Sequence, residues 1–529
     1  MRVLGIEGTA WAASAAVHDT GTDETQIRSD AYQPESGGIH PREASEHMSE
    51  AIPAVVEEAL DGTDGPIDAV AFSRGPGLGP CLRIAGTAAR ALAGKLDVPL
   101  VGVNHMLAHA EVGRHRSGFA DPICLNASGA NAHLLGYRDG RYRILGETMD
   151  AGVGNAIDKF ARHLGWDHPG GPKVEARARE GEYLGLPYVV KGMDFSFAGV
   201  SSAAQDAVDD GEAVADVCFG LQETVFASLT EAAERALALT GRDELVLGGG
   251  VGQNARLRAM LATMCDERGA AFFAPEPRFL RDNAGMIAVL GAKMAAAGET
   301  VSIAESAVDA DFRPDEVAVT WWDAPSERSD DGETDAPTRG AEATVAVEGD
   351  RVVKTRVAKS YRHPALDERL RRERTRAEAR LTSEARRAGV PTPLVRDVDP
   401  AEGRIVFGRV GDGDLADALT PERARQMGEH LAALHGAGLV HGDPTTRNAR
   451  VAADEADRLW LIDFGLGGHS GHVEDHAMDL HVFAGSVAGT AGEDAARAAR
   501  EAALAGYRAA GDEAVLGRLD AVESRGRYR

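Results

Sequence analysis

At 529 residues the chain is too long for a single hydrophobic core, so two or three domains are expected. Its 43% hydrophobic content is that of a globular protein, and no run of about 18 apolar residues offers a membrane span. A formal net charge of −26, with lysine scarce and acid spread along the whole chain, works against nucleic-acid binding by bulk charge and suits a high-salt cytoplasm.

The N-terminal stretch MRVLGIEGTAWAASAAV is too broken by glycine and polar residues for a signal peptide and predicts a strand hairpin. Cys81, Cys124, Cys218 and Cys265 are far apart and form no CxxC pair. They fit a reducing cytoplasm and argue against both a disulfide framework and a thiolate zinc site. Up to about residue 323, short apolar strands alternate with helices: IDAVAFS then LRIAGTAARALAGKL, VPLVGV then NHMLAHAEVGRH, ELVLGGG then NARLRAMLATMCDERG. This is an α/β pattern with buried central strands. An internal echo runs through it. VLGIEGTAWAASAAVHD and ICLNASGANAHLLGYRD each read as a buried strand, a small-residue turn and a return strand, so two similar halves would face each other across a cleft.

Four glycine-rich turns occupy positions that can offer backbone N–H groups to a phosphate: GIEGTA (5–10), SGAN (128–131), GGPK (170–173) and GGGVGQN (248–254). None matches the Walker or Rossmann pattern. Asp158 and Glu175 lie near these turns and would grip ribose hydroxyls rather than phosphate, since like charges repel. In NHMLAH, His105 and His109 stand four apart on one helix face. Asp282, in RDNAGMIA, opens another helix among small residues that permit close approach. Two imidazoles and a carboxylate suit Fe(II) or Zn(II). A metallopeptidase helix would carry a glutamate beside the first histidine. Here Met106 follows His105, and Glu111 lies beyond the pair, so peptide hydrolysis lacks its base in this helix.

NHMLAH, SGAN, AIDKFAR, GGPKVEARA, FSFAGV, LVLGGGVGQNARLR and RDNAGMIA resemble the tRNA N6-threonylcarbamoyladenosine transferases, a family with archaeal and eukaryotic members in the KEOPS complex. The likeness spans nearly all of 1–323. It implies a duplicated actin/Hsp70-like (ASKHA) fold and metal ligation by His105, His109 and Asp282. It also implies contacts to the nucleotide, or to threonylcarbamoyl-adenylate, from Asn126, Ala127, Ser128, Gly129, Ala130, Asp158, Gly171, Glu175 and Asn254. Two positions depart from the family. Asn126 stands where a tyrosine often helps ligate the metal, and its amide oxygen is a weaker substitute. Ala130 replaces a glycine and would crowd a phosphate if the position required a positive φ. The implied reaction carries the threonylcarbamoyl group from L-threonylcarbamoyl-adenylate to N6 of adenosine 37, in tRNAs reading codons that start with A. Resemblance implies tRNA, the adenylate and other KEOPS subunits as partners, and because a net charge of −26 repels tRNA the subunits are expected to supply much of the tRNA affinity. No membrane partner is implied.

DAPSERSDDGETDAPTRG, rich in Asp, Ser, Pro and Gly, predicts an acidic linker, placed at 324–338. A second domain, 339–529, is expected to begin with hairpin strands in ATVAVEGDRVVKTRVAKSYR. The charged helix LDERLRRERTRAEARLTSEARRAG follows, ended by glycine and then VPTP. HGDPTTRN and IDFGLGG place Asp443 and Asn448 at the D-x4-N spacing of a kinase catalytic loop, with Asp463 in the DFG that follows. Asp443 would orient the nucleophile, Asn448 and Asp463 would hold Mg-ATP, Lys354 would reach the ATP phosphates, and Glu378 would pair with Lys354. GAEA replaces the glycine-rich loop, no APE follows, and too little chain remains after Asp463 for an ordinary substrate-grasping lobe. GAEA, the long basic helix and HGDPTTRN resemble the small atypical serine/threonine kinase of the KEOPS complex, here with Pro444 in place of a usual leucine. That likeness implies a minimal two-lobed α+β kinase-like domain whose ATP hydrolysis or autophosphorylation supports tRNA modification. Two other readings are a metallopeptidase with a fused regulatory kinase and a nucleotide-switch scaffold without catalysis.

Overall fold

The computed structural model describes residues 1–32, 39–322, 338–452 and 458–523. The first domain opens with β1 (Arg2–Glu7), β2 (Ala12–Asp19), β3 (Glu24–Ala31), α1 (Pro41–Asp61), β4 (Ala69–Gly75), α2 (Gly79–Leu96), β5 (Leu100–Asn104) and α3 (His105–Ser117). Its second half runs β6 (Ile123–Ala127), β7 (Ala132–Arg138), β8 (Arg141–Glu147), α4 (Val153–His163), α5 (Gly171–Ala178), β9 (Val190–Lys191), β10 (Asp194–Phe195), α6 (Ala198–Asp209) and α7 (Val214–Thr240). It closes with β11 (Glu244–Gly248), α8 (Ala255–Arg268), β12 (Ala271–Phe273), α9 (Pro277–Leu280) and α10 (Ala284–Ala296).

The two halves repeat one topology. The first sheet is ordered β3-β2-β1-β4-β5 and the second β8-β7-β6-β11-β12. In each, three antiparallel strands are followed by two that run parallel to the first: β4 pairs with β1 and β5 with β4, as β11 pairs with β6 and β12 with β11. The sequence echo is therefore a repeat of the fold. Parallel strands covered on both faces must be apolar throughout, which is why VLGIE, AVAF and LVLG lack the alternation of a half-exposed sheet.

Close approach sets the position of α10. A Cβ on Gly5 of β1 would stand 2.5 Å from the Ala284 carbonyl oxygen and 2.9 Å from the Ala288 methyl, so the helix start rests directly on the strand. Gly113 does the same for α3, where a Cβ would come within 2.2 Å of Val246 Cγ1 on β11. These contacts bring the first turns of α3 and α10 to the ends of the parallel strands, where clefts form in open α/β sheets.

The second domain contains β13 (Thr338–Arg339), β14 (Ala343–Glu348), β15 (Arg351–Arg356), α11 (Pro364–Arg387), β16 (Val395–Asp399), β17 (Arg404–Gly408), β18 (Gly413–Asp414), α12 (Pro421–Gly436), β19 (Leu439–Val440), β20 (Ala449–Val451), β21 (Leu459–Leu461), β22 (Gly468–His469), α13 (Val473–Thr490), α14 (Glu493–Ala510) and α15 (Glu513–Glu523). A five-stranded antiparallel sheet, β13-β14-β15-β17-β16, backs onto α11, and a separate apolar core gathers α12 to α15. Of the expected linker, 324–337 lies outside the described residues. Thr338 already pairs with Val345, so the strand begins one residue before the expected boundary. No helix among the described residues is long and apolar enough to cross a membrane.

Candidate functional site

Asn104 caps α3, its side-chain oxygen accepting from the Met106 and Leu107 amides, and this fixes the register of the two histidines that follow. Asp282 stands just before α10, next to its capping residue Asn283. His105 Nε2 lies 3.3 Å and His109 Nε2 3.4 Å from Asp282 Oδ1, and the rings meet edge to face with centroids 5.0 Å apart. One ligand-type atom from each of the three lies within 4.8 Å of the others, although His105 and Asp282 are far apart in sequence.

Glu7, which the sequence reading left inside a phosphate turn, stands behind this trio. His105 Nδ1 donates to Glu7 Oε2 across 3.1 Å, and Glu7 Oε1 accepts from the Thr9 amide at 2.7 Å. A carboxylate behind a ligand imidazole orients the ring and raises its basicity. Burial alone would lower the His105 pKa, but Glu7 and Asp282 outweigh it and push it up to about 10. Asp282 is opposed by burial in the same way, yet the two histidines hold its carboxyl far below the ordinary range. The two carboxylates that favour a proton on His105 would equally favour a metal cation at its Nε2 in place of that proton. His109 Nδ1 and Asn126 Oδ1 are buried without a hydrogen-bond partner. Asn126 Nδ2 faces Met106 Sδ at 3.7 Å, and its oxygen lies near Gly248, which also borders His109. Two imidazoles, a carboxylate and an orphan amide oxygen fit an Fe(II) or Zn(II) ion.

Glu111 does not face this trio. Its carboxylate accepts from Tyr142 Oη at 2.7 Å and pairs with Lys293 and Arg114, each at 2.9 Å. Burial would raise it, but the two cations hold it at about 2. It is a fixed structural anion, so the expected absence of a hydrolytic base on α3 extends to its nearest substitute.

Most of the residues expected at the nucleotide are tied into their own turns and helix starts. In SGAN, the Ser128 and Gly129 carbonyls accept from the Gly154 and Asn155 amides, which anchors the turn on α4. Ala130 is not among the positive-φ residues, so the crowding expected of its methyl does not arise from backbone strain. Asp158 uses both oxygens, Oδ1 on the Gly170 amide at 2.7 Å and Oδ2 on His168 Nδ1 at 3.1 Å. Gly171 opens α5, with nothing within 4 Å of where a Cβ would sit. Glu175 accepts from the Ala255 amide at 3.2 Å. Asn254 is committed to the chain, capping α8 with its oxygen and donating to Gln222 at 3.1 Å, so it shapes the GGGVGQN turn. Across the two halves, Trp11 stacks on His168, rings 9° from parallel and 4.4 Å apart.

In the second domain Lys354 Nζ lies 2.8 Å from Glu378 Oε1 and 2.7 Å from Asp463 Oδ1, and Asn448 Nδ2 donates to Asp443 Oδ2 at 3.0 Å. Asp463 adopts a left-handed backbone (φ 62°), a conformation that stores strain in a non-glycine residue. These side chains line a cavity of about 470 Å³. Arg235, Ala238 and Leu239 of α7 form part of its wall, so the first domain completes it. Arg235 Nη1 reaches Asp443 Oδ2 at 2.7 Å, and its guanidinium also pairs with Glu231 and with Glu342 of GAEA. Arg374 and Arg356 share Glu342. Burial opposes ionisation of Glu342, and these three arginines hold its carboxyl well below the usual range. Asp443 goes the other way, burial pushing it up to about 6 against Arg235. Nothing in the local sequence around Arg235 marks it as a partner of the HGD loop.

Residues 22–289 match the family model described as TsaD, tRNA N6-adenosine threonylcarbamoyltransferase. Three relatives, each named a probable bifunctional tRNA threonylcarbamoyladenosine biosynthesis protein, align along almost the full length of both chains. That of Halobacterium salinarum is 68% identical over 100% of this chain and 99% of its own. That of Haloarcula marismortui is 65% identical over 100% of both. That of Methanospirillum hungatei is 50% identical over 99% of both.

Proposed function

The chain belongs to the bifunctional tRNA threonylcarbamoyladenosine biosynthesis family, with a tRNA N6-adenosine threonylcarbamoyltransferase domain at its N-terminus, and from that premise we propose how its two sites work. In the first domain, N6 of adenosine 37 attacks the carbamoyl carbon of L-threonylcarbamoyl-adenylate, the bond to the adenylate phosphate breaks, and AMP leaves. The target base must be unstacked in the anticodon loop to reach the cleft. His105, His109 and Asp282 would hold an Fe(II) or Zn(II) ion, and the unpartnered amide oxygen of Asn126 is the candidate for a further ligand. When bound, that ion supplies a Lewis acid at the developing charge. Glu7 keeps His105 oriented. The 126–130 turn, Gly171 and the GGGVGQN turn held by Asn254 offer backbone to the nucleotide, and Asp158 and Glu175 offer carboxylates to its ribose. The observation that carries this reading is the convergence of His105 and His109, on α3, with Asp282, just before α10, within 4.8 Å of one another.

In the second domain we assign the cavity to Mg-ATP: Lys354, fixed by Glu378, for the phosphates, Asn448 and Asp463 for Mg²⁺, and Asp443 for the phosphoacceptor. Lys354 already bridges Glu378 and Asp463, and this supports the assignment. ATP turnover there supports or regulates the transfer. Because a net charge of −26 opposes tRNA, we assign much of the tRNA affinity to partner subunits of the KEOPS type.

The test is reconstitution of metal-loaded protein with tRNA, threonylcarbamoyl-adenylate and partner subunits, reading the modified nucleoside by mass with and without ATP. A peptidase reading has no support on α3, where Glu111 is locked by two cations.

A further inference from the structure

Among the described residues, one other trio gathers three ligand-type atoms within 4.8 Å of one another, as His105, His109 and Asp282 do. It consists of His18 at the end of β2, Asp23 in the β2–β3 turn and His115 in the last turn of α3. No sequence motif marks it, because three separate elements bring it together.

The geometry is that of a site rather than a chance surface pair. His18 is 3% exposed, and its ring is fixed by a 3.0 Å contact between Nδ1 and Thr25 Oγ1 across the hairpin. Its ring meets that of His115 edge to face, centroids 6.0 Å apart, much as His105 meets His109. His115 Nε2 lies 2.7 Å from Asp23 Oδ1. Asp23 holds a left-handed backbone (φ 58°), which an aspartate tolerates better than most residues. Its other oxygen faces Arg116 at 3.5 Å, and that guanidinium is itself paired with Glu276 at 2.6 Å, so the arginine orients the carboxylate with its own charge already compensated. The last turn of α3 adds the partial negative charge of a helix C-terminus. Two imidazoles and one carboxylate select a borderline cation such as Zn²⁺ over Mg²⁺ or Ca²⁺, and three protein ligands leave room for water.

We propose that His18, Asp23 and His115 form a second binding site for a zinc-type divalent cation, one that ties the last turn of α3 to the β2–β3 hairpin. The same helix carries His105 and His109 at its start, about 15 Å and about 9 Å away along the axis. An ion at His115 would thus brace the helix that presents the first trio. β2 touches both ends of this arrangement, since Ser14 Oγ accepts from the Ala284 amide two residues after Asp282.

The test uses the full-length chain, stripped with chelator and dialysed against Zn²⁺, with bound metal measured by mass spectrometry. The expected stoichiometry is two per chain in the natural protein, one in His109→Ala, one in His18→Ala/His115→Ala, and none when all three substitutions are combined. His115→Ala alone removes a half-exposed ring and guards against misfolding. In the His109→Ala background, Zn²⁺ should raise Tm, and adding His115→Ala should abolish that rise. Unchanged stoichiometry in His18→Ala/His115→Ala, or a single zinc in the natural chain that vanishes with His109→Ala, would overturn the proposal. Binding is read without tRNA or activity, so the result stands apart from the transferase reading.

Discussion

Arg235 Nη1 lies 2.7 Å from Asp443 Oδ2, so a side chain on the first domain's 27-residue helix α7 closes on the carboxylate proposed to receive a phosphoacceptor in the second domain. Asn448 holds the same carboxylate oxygen. Under the proposed assignment a phosphoacceptor hydroxyl would have to displace the guanidinium, so the docked arrangement would favour ATP hydrolysis over phosphoryl transfer to protein.

Arg235→Ala is therefore expected to raise phosphate incorporation relative to ATP hydrolysis, by about tenfold if the lost contact is worth about 1.4 kcal/mol. It also takes one cation from a buried network, although Glu342 keeps Arg374 and Arg356 and Glu231 keeps Arg374 and Arg362. Tm should fall while the transfer-to-hydrolysis ratio rises. A ratio that stays constant per folded molecule contradicts the assignment.

Lys354→Met removes the cation shared by Glu378 and Asp463. ATP hydrolysis should drop by about a hundredfold or more, the scale of losing an electrostatic contact to the transferring phosphate. A single turnover of threonylcarbamoyl transfer, started from preformed adenylate, should survive. Loss of both in a folded variant would argue that the sites are not separate.

A third expectation concerns pH. Glu147 is buried on β8, 3.8 Å from His133, and burial pushes its carboxyl up to about 7 despite Arg313. His133, also buried, is pushed down to about 4. Between the ordinary carboxylate value and 7 the folded chain holds a proton on Glu147 that the unfolded chain has released, so this residue's contribution falls as pH rises through that window. His133 works in the opposite sense between about 4 and 6.5, where the unfolded chain binds the extra proton. Glu147→Gln removes only the first effect. Its stability relative to the natural chain should rise from pH 5 to 7.5, approaching about 3 kcal/mol and read as a growing difference in Tm. A difference independent of pH would show that Glu147 is ionised in the fold.

Trp11 and His168 stack across the two halves of the first domain, and His168 in turn holds Asp158. Trp11→Ala frees that histidine and loosens Asp158, the carboxylate proposed to hold the ribose. The KM for threonylcarbamoyl-adenylate should rise several-fold with a smaller change in kcat, and Trp11→Phe should restore most of it. An effect confined to kcat would place Trp11 at the chemistry instead.

Much of this was legible in the sequence because it depends on local spacing. The strand-turn-strand echo could be read because both halves bury the same apolar strands, and His105 with His109 because four residues make one helical turn. Lys354, Glu378, Asp443, Asn448 and Asp463 were readable for similar reasons, as short motifs in a fixed order. Glu7 was not, since its partner is remote in sequence and its motif looked like a phosphate turn. A carboxylate inside such a turn was the available signal, because it would repel the phosphate. Asn254 was read as a nucleotide contact although an asparagine immediately before ARLR is also a helix cap. Arg235 and the His18–Asp23–His115 trio had no local signal at all. Each exists only once separate elements have packed.

The central claim is that His105, His109 and Asp282 act as one centre for threonylcarbamoyl transfer. The most direct measurement is the yield of modified nucleoside, by mass, from metal-loaded natural chain, His109→Ala and Asp282→Asn under one reconstitution with tRNA, threonylcarbamoyl-adenylate and partner subunits. Modification by the natural chain is expected, with loss of at least a hundredfold in both variants and ATP hydrolysis retained. Undiminished modification by a folded His109→Ala chain would contradict that claim.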